Sequence, residues 1–151
     1  MLVYHGSAGI GKTYFCAAIV EWMFTEFSTR RYHREEDLLK RLRSLISEGI
    51  GDYVFNLQYL IDDQIVILDD VGNGINPEKF TNRDLEFRRE IFFNFLNYRY
   101  NSMQPTIITS NFTRSQFKEI YSERIYSRLF ASENTIISIF GDNLDKRAMG
   151  K

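Results

Sequence analysis

Residues Gly6–Thr13 have the spacing of a phosphate-binding loop. They match the pattern GxxxxGK[ST] in full, in which glycines let successive backbone N–H groups curl around a phosphate without Cβ clashes. Lys12 would reach the β- and γ-phosphates of a nucleotide, and Thr13 would offer its hydroxyl to Mg²⁺. We therefore predict a site for ATP/ADP and Mg²⁺. The predicted nucleotide-binding residues are Gly6, Ser7, Ala8, Gly9, Ile10, Gly11, Lys12, Thr13 and Tyr14.

Two carboxylates, Asp69 and Asp70, follow the apolar run Ile65–Leu68. A continuous run of β-branched residues and leucine favours a strand buried on both faces. Adjacent side chains at the end of a strand point in different directions, so one carboxylate can face a metal ion and the other the γ-phosphate. We predict that Asp69 and Thr13 hold Mg²⁺, and that Asp70 orients or deprotonates the attacking water.

Asn111 and a pair of arginines also have side chains suited to a phosphate. Asn111 follows the short strand-like run Thr106–Thr109 and could hydrogen-bond the γ-phosphate or the attacking water from a neighbouring strand end. Arg124 and Arg128 are four residues apart, so they share one face of a predicted helix. Their spacing alone also fits an ordinary solvated helix face.

Short apolar strands alternate with helical segments along the chain. We predict strands at residues 2–5, 65–68, 106–109 and 135–140, with a short one near 31–32. Helices are predicted at 12–27, 38–46 and 87–98, and from Thr113, which has the spacing of a capping box with Gln116. Residues 71–83 predict a loop. This alternation predicts an α/β fold with a parallel sheet.

The composition fits a single domain. Of the 151 residues, 44% are apolar, which suffices for one hydrophobic core and not for two. The 19 Lys+Arg and 20 Asp+Glu give a net charge of −1, so charge alone does not predict tight non-specific DNA binding. The sequence has neither a membrane-length apolar stretch nor signal-peptide features. We expect a cytoplasmic protein with Cys16 as a small buried hydrophobic residue.

Four motifs in this order resemble the ATPase core of bacterial and phage helicase loaders of the DnaC/DnaI type and the related transposition helper IstB, members of the AAA+ superfamily. These motifs are Gly6–Thr13, Ile65–Gly72, Pro105–Phe112 and Glu123–Leu129, and they extend over nearly the whole chain. The first two occur in many P-loop ATPases, whereas the last two are more discriminating. The resemblance implies a three-layer α/β/α fold with a five-stranded parallel sheet.

The resemblance also implies roles for individual residues. Asn111 becomes the sensor of the γ-phosphate, and Arg128 becomes an arginine finger that acts on the nucleotide of an adjacent subunit, with Arg124 supporting the interface. This arrangement implies a nucleotide-dependent homo-oligomer. Because aspartate at the catalytic position is shorter than glutamate, we expect hydrolysis to be slow and switch-like. The predicted catalytic residues are Lys12, Asp70, Asn111 and Arg128.

Other family features concern the ends of the chain. The second sensor of the family is an arginine after the final strand, a position that Arg147 fits loosely. We expect residues 1–151 to form one AAA+ ATPase core whose helical lid is absent or minimal. The resemblance gives no counterpart for the N-terminal helicase-binding region of the loaders.

A basic segment with an interleaved aromatic residue, Tyr32, is a further candidate for binding. Loaders and initiators that resemble this chain contact single-stranded DNA in this part of the fold, and such grooves combine basic and aromatic side chains. The acidic run Glu35–Asp37 interrupts the segment, so a solvated amphipathic helix is the alternative. The candidate DNA-binding residues are Arg30, Arg31, Arg34, Arg41 and Arg43.

Our leading hypothesis is an ATP-hydrolysing AAA+ protein that assembles with nucleotide and helps to place a replicative helicase on single-stranded DNA. An IstB-like helper of a transposase is an alternative with the same fold. A small P-loop kinase would use Lys12 and Thr13 in the same way, but it also needs an acceptor pocket and an arginine-rich lid. An adaptor that binds ATP without hydrolysing it is a further alternative.

Overall fold

Five parallel strands form the centre of the molecule. The computed structural model describes residues 1–75 and 82–140. The strands are β1 (Leu2–Gly6), β2 (Arg30–Arg34), β3 (Ile65–Val71), β4 (Thr106–Ser110) and β5 (Thr135–Ile139). Their order across the sheet is β2–β3–β4–β1–β5, and every neighbouring pair is parallel. The carboxyl ends of all five strands therefore meet at one edge.

Helices cover both faces of this sheet. They are α1 (Lys12–Glu26), α2 (Glu35–Ser47), α3 (Tyr53–Ile61), α4 (Asn82–Asn101), α5 (Arg114–Tyr121) and α6 (Glu123–Leu129). On one face, Ile65 and Ile67 pack with Cys16 of α1. On the other, Val66 and Leu68 join a larger apolar cluster to which α2 through α6 contribute. Alternate residues of one strand thus supply two cores, and the sheet is the middle of three layers.

The predicted three-layer α/β fold with a five-stranded parallel sheet is confirmed. The short strand near 31–32 is also confirmed, as β2. So is the capping box, in which the Gln116 amide donates to Thr113 Oγ1 over 3.2 Å. Cys16 is fully buried, as expected.

Two element predictions need correction. Helix α3 has no counterpart among them, although Asp52 caps it by accepting a hydrogen bond of 2.8 Å from the Phe55 amide. Helix α4 begins at Asn82, inside the segment 71–83 that is predicted to be a loop. Strand β3 extends to Val71, so both aspartates lie at its carboxyl end, as predicted.

The structure contains no helix, within the part of the chain that it describes, that could span a membrane. The lid and the second-sensor position Arg147 concern residues 141–151, which lie outside the described residues.

Arg99, near the end of α4, holds the amino edge of the sheet. Its side chain is fully buried, and burial lowers its pKa to about 10, so the guanidinium remains protonated at pH 7. It donates to groups in the segments that lead into β3 and β4. These acceptors are the carbonyl oxygens of Ile61, Asp63 and Pro105, Gln104 Oε1 and Thr106 Oγ1.

We predict that Arg99→Met destabilises the fold by about 3–5 kcal/mol, because it leaves several buried acceptors without a donor. Urea denaturation followed by circular dichroism measures this change. Arg41→Met, on the exposed side of α2, is the matched control and should change the free energy of unfolding by less than about 0.5 kcal/mol. Equal effects of the two substitutions would contradict the role of Arg99.

Candidate functional site

The loop between β1 and α1 has the backbone geometry of an anion-binding turn. Gly9 and Gly11 adopt left-handed conformations, with φ of 79° and 94°, which residues with a Cβ rarely adopt. The Ser7 amide donates to the Ile139 carbonyl over 3.0 Å, which ties the loop to β5. A Cβ on Gly6 would lie 2.0 Å from the same oxygen, so only glycine fits there. Gly11, the N-cap of α1, has no side chain that could cap the helix, so the first amides of α1 can bind an anion.

Lys12 folds back over this loop. Its ammonium donates to the carbonyl oxygens of Gly6 and Ser7, each over 2.8 Å. The side chain is only 7% exposed. Its positive charge is therefore held at the loop, where the backbone amides could also bind an anion.

Asp69 is a buried carboxylate surrounded by donors. Its Oδ2 accepts a hydrogen bond of 2.6 Å from the Tyr32 hydroxyl, and its Oδ1 accepts from Thr109 Oγ1 and, at 3.7 Å, from the Cys16 thiol. Burial, reinforced by the charge of Asp69, raises the pKa of both Cys16 and Tyr32 above their usual ranges. Both groups thus stay protonated at neutral pH and donate to the carboxylate.

The donor set fits Mg²⁺ bound through water. A carboxylate has about four lone-pair positions, and the described residues fill three of those on Asp69. One position remains for a metal-bound water, while Thr13 lines the same cleft with a hydroxyl. These are hard oxygen ligands, which Mg²⁺ prefers. Within residues 1–75 and 82–140, no group of three or more His, Cys, Asp or Glu forms a protein-only metal cluster.

Asp70 lines the cleft together with Asp69. Its backbone is left-handed, with φ of 62°, where the pairing of β3 with β4 is irregular. Its Oδ2 accepts from Arg34 over 3.1 Å and from Asn73 over 2.7 Å, and its Oδ1 accepts from Asn111 over 3.4 Å. The Asp70 amide donates to Thr109 Oγ1 over 2.9 Å. One hydroxyl, on Thr109, therefore contacts both aspartates and helps to fix their positions.

These groups line one open cleft of about 1230 Å³. Gly6 and Ser7 begin the loop, residues 8–14 line the cleft, and Tyr14 is 86% exposed at its rim. The lining residues are Ala8, Gly9, Ile10, Gly11, Lys12, Thr13, Tyr14, Arg34, Asp69, Asp70, Asn73, Thr109 and Asn111. All predicted catalytic, nucleotide-binding and metal-binding residues except Gly6, Ser7 and Arg128 therefore line the cleft, and the carbonyl oxygens of Gly6 and Ser7 accept from Lys12.

Arg128 lies on α6, outside the cleft of its own chain. Its guanidinium is 5.5 Å from the ring centroids of Phe93 and Tyr100, and Arg124 lies 3.8 Å from the Phe93 centroid. Aromatic faces attract both cations and hold them on α4. Arg128 therefore does not line the cleft of its own chain.

Sequence patterns do not predict the roles of Tyr32, Asn73 and Thr109, and they place Arg34 among the candidate DNA-binding residues. Arg34 instead lines the cleft and forms an ion pair with Asp70. In the β2–β3 pairing Arg34 lies opposite Asp69, so the register would have indicated this position. The use of this register requires knowledge of the strand order, which no local motif predicts.

The five candidate DNA-binding arginines do not form one surface. Alternation along β2 places Arg30 over Phe24 of α1 and Arg31 against Asp63, on opposite faces of the strand. Arg43 forms an ion pair of 3.0 Å with Asp84. The five arginines, all of which the structure describes, therefore do not line a single groove.

Comparisons with known proteins identify the family. The family described as IstB-like ATP binding protein matches residues 1–135. The solved structure of the DnaC helicase loader is 26% identical, with a TM-score of 0.72, over 91% of this chain and 77% of that chain. DnaI is also 26% identical, with a TM-score of 0.67, over 91% and 71%.

A more distant likeness shows the fold alone. AMPPCP-bound DnaA from Aquifex aeolicus is 19% identical, with a TM-score of 0.67, over 90% of this chain and 39% of that chain. No curated protein sequence matches the chain significantly. The phosphate loop, the acidic end of β3 and the family match over most of the chain lead to one conclusion: this chain belongs to the IstB-like ATP-binding family and forms an AAA+ core of the DnaC type.

Proposed function

We propose that the chain binds and hydrolyses ATP with Mg²⁺ and, in the cytoplasm, helps to load a replicative helicase onto single-stranded DNA. The observation that carries this proposal is the gathering of Lys12, Asp69, Asp70 and Asn111 around one cleft at the carboxyl edge of the sheet. The likeness to the DnaC helicase loader, which covers most of both chains, supports the cellular role.

Each cleft residue has a role in this proposal. The loop amides and Lys12 bind the phosphates, and Asn111 donates to the γ-phosphate or to the attacking water. Asp70 orients that water and accepts its proton through the lone pair that Arg34, Asn73 and Asn111 leave available. Thr13 and Asp69 hold Mg²⁺, which when bound neutralises charge on the β- and γ-phosphates. Arg128 completes the site of a neighbouring copy in a nucleotide-dependent homo-oligomer.

A transposase helper is the second candidate. It is favoured by one observation, the match of residues 1–135 to the family described as IstB-like ATP binding protein. The ATP chemistry is the same in both candidates, and the protein partner distinguishes them.

The partner is tested by capture. The full chain, with a non-hydrolysable ATP analogue, should retain the replicative helicase of its host on a resin, and retention should fall with ADP. Lys12→Ala serves as the matched control, because loss of the ammonium removes phosphate binding and should remove the nucleotide dependence. Retention of a transposase with no helicase would overturn helicase loading in favour of the second candidate.

Tyr32→Phe removes one donor to Asp69 and keeps the ring. Loss of such a supporting hydrogen bond typically weakens metal binding by about 10- to 100-fold. We therefore expect the Mg²⁺ concentration for half-maximal binding of a fluorescent ATP analogue to rise by about this factor. Tyr59→Phe, whose ring is 70% exposed on α3, is the control. An unchanged Mg²⁺ midpoint would argue against Tyr32 as a support of the metal ligand.

Arg128→Ala should leave ATP binding intact while turnover falls by about 10³-fold or more, since an arginine finger contributes 10³–10⁵ in rate. A mixture with Asp70→Asn restores sites in which Asp70 of one copy meets Arg128 of another. Its ATPase rate should exceed the sum of the separate variants. A mixture of Arg128→Ala with the double variant is the control and should show no gain. No gain in the first mixture would exclude action in trans.

A further inference from the structure

A buried carboxylate that the proposed chemistry does not use lies behind the cleft. Glu35 is the first residue of α2 and is 3% exposed. Its Oε2 accepts from the Gly72 amide over 2.9 Å and from Arg88 over 2.7 Å, and its Oε1 accepts from the Tyr121 hydroxyl over 2.6 Å. One side chain therefore joins α2, the turn after β3, α4 and the end of α5.

Burial of a carboxylate costs free energy unless the group is paired, so the hydrogen-bond partners of Glu35 fix its position. Burial raises the pKa of Glu35, while Arg88, Tyr121 and the Gly72 amide oppose that rise. The Arg88 guanidinium is 6% exposed and forms a buried ion pair with the carboxylate. A buried ion pair with further hydrogen bonds tolerates little displacement, because each lost contact leaves a desolvated group.

On one side, this carboxylate holds the turn that directly follows β3 and its residue Asp70. Gly72 has a φ of 83°, and a Cβ there would lie 2.3 Å from the Phe112 ring. The next residue, Asn73, donates from its amide to the Asp70 carbonyl over 3.0 Å and from its side chain to Asp70 Oδ2 over 2.7 Å. Arg88 also reaches the Asn73 carbonyl, at 3.4 Å. Movement of Asp70 thus displaces atoms that Glu35 and Arg88 bind directly.

On the other side, the carboxylate holds the start of the Arg128 helix. Tyr121 is the last residue of α5 and is fully buried. Ser122, with a φ of 88°, joins α5 directly to α6, which carries Arg128. The Tyr121 ring lies 4.9 Å from Phe92 and 6.2 Å from Phe112, between ring centroids. A shift of the Tyr121 hydroxyl therefore acts on the residue that directly precedes the α5–α6 junction at Ser122.

We propose that Glu35 is a positioning residue that couples the turn behind Asp70 to the α5–α6 junction, so that the occupancy of the cleft changes the position of Arg128. The inference rests on the proposed function, because ATP in the cleft and Arg128 in trans belong to that proposal. Arg34 then binds Asp70 from the cleft side, while its neighbour Glu35 binds Gly72 of the following turn from the core side.

Hydrogen exchange measured on the full chain tests this coupling. With MgADP and with a non-hydrolysable Mg–ATP analogue, the wild type should differ in the exchange of residues 122–129. Tyr121→Phe deletes the link to α5 and keeps the Glu35–Arg88 ion pair. It should lose most of that difference, and kcat should fall by about 2- to 30-fold while KM for ATP stays within about twofold.

Controls separate coupling from folding. Tyr53→Phe, which removes a hydroxyl bonded to Glu90 at the surface of α3, should keep the wild-type exchange difference. Glu35→Gln, if it folds, should lose the difference as Tyr121→Phe does. A full exchange difference in Tyr121→Phe, or none in a wild type that binds ATP, overturns the coupling and leaves ATP binding standing. A wild type that does not bind ATP overturns the proposed function and the coupling together.

Discussion

The parallel direction of all five strands is the constraint on which the rest of the structure depends. It brings the carboxyl ends of β1, β3 and β4 to one edge, where the phosphate loop, two carboxylates and Asn111 meet. At the opposite, amino edge, the segments that enter the strands come from long crossovers, so hydrogen bonds must hold them together. Arg99 makes these bonds by donating to the carbonyl groups that precede β3 and β4. One edge of the sheet is thus fixed by a buried cation, and the other is left open for ligands.

The outer strand β2 adjusts the chemistry of the central strand. Tyr32 and Arg34 are two residues apart and so lie on one face of β2, where the first donates to Asp69 and the second to Asp70. His33, on the other face, bonds the Leu60 carbonyl at 2.9 Å and anchors the strand to α3. Glu35 follows at once and holds the turn after β3 from behind. A short strand with little apolar character therefore controls both aspartates from the side.

Local patterns predicted the parts of the site that are contiguous in sequence. The phosphate loop and the Thr113 cap each depend on a few successive residues, so they can be predicted without knowledge of the fold. Asp69 and Asn111 followed from a topological rule, since parallel strand ends meet. The roles of Tyr32 and Thr109 depend on which strands are neighbours and on their register. Neither the strand order nor the register can be predicted from a single segment. Helix α3 was missed because its aromatic and β-branched residues lack a clean apolar face, and its Asp52 cap was the usable signal.

The charges of the cleft favour a contribution from outside the chain. Among its described lining residues, the cations Lys12 and Arg34 are balanced by Asp69 and Asp70, and Arg34 is already paired with Asp70. A triphosphate brings several negative charges, and phosphoryl transfer spreads charge over the γ-phosphate oxygens. Mg²⁺ offsets part of this charge. Arg128, held over aromatic rings and partly exposed on α6, has the guanidinium that a second copy could add. The charge balance of the cleft thus supports the proposal that a second copy contributes to ATP turnover.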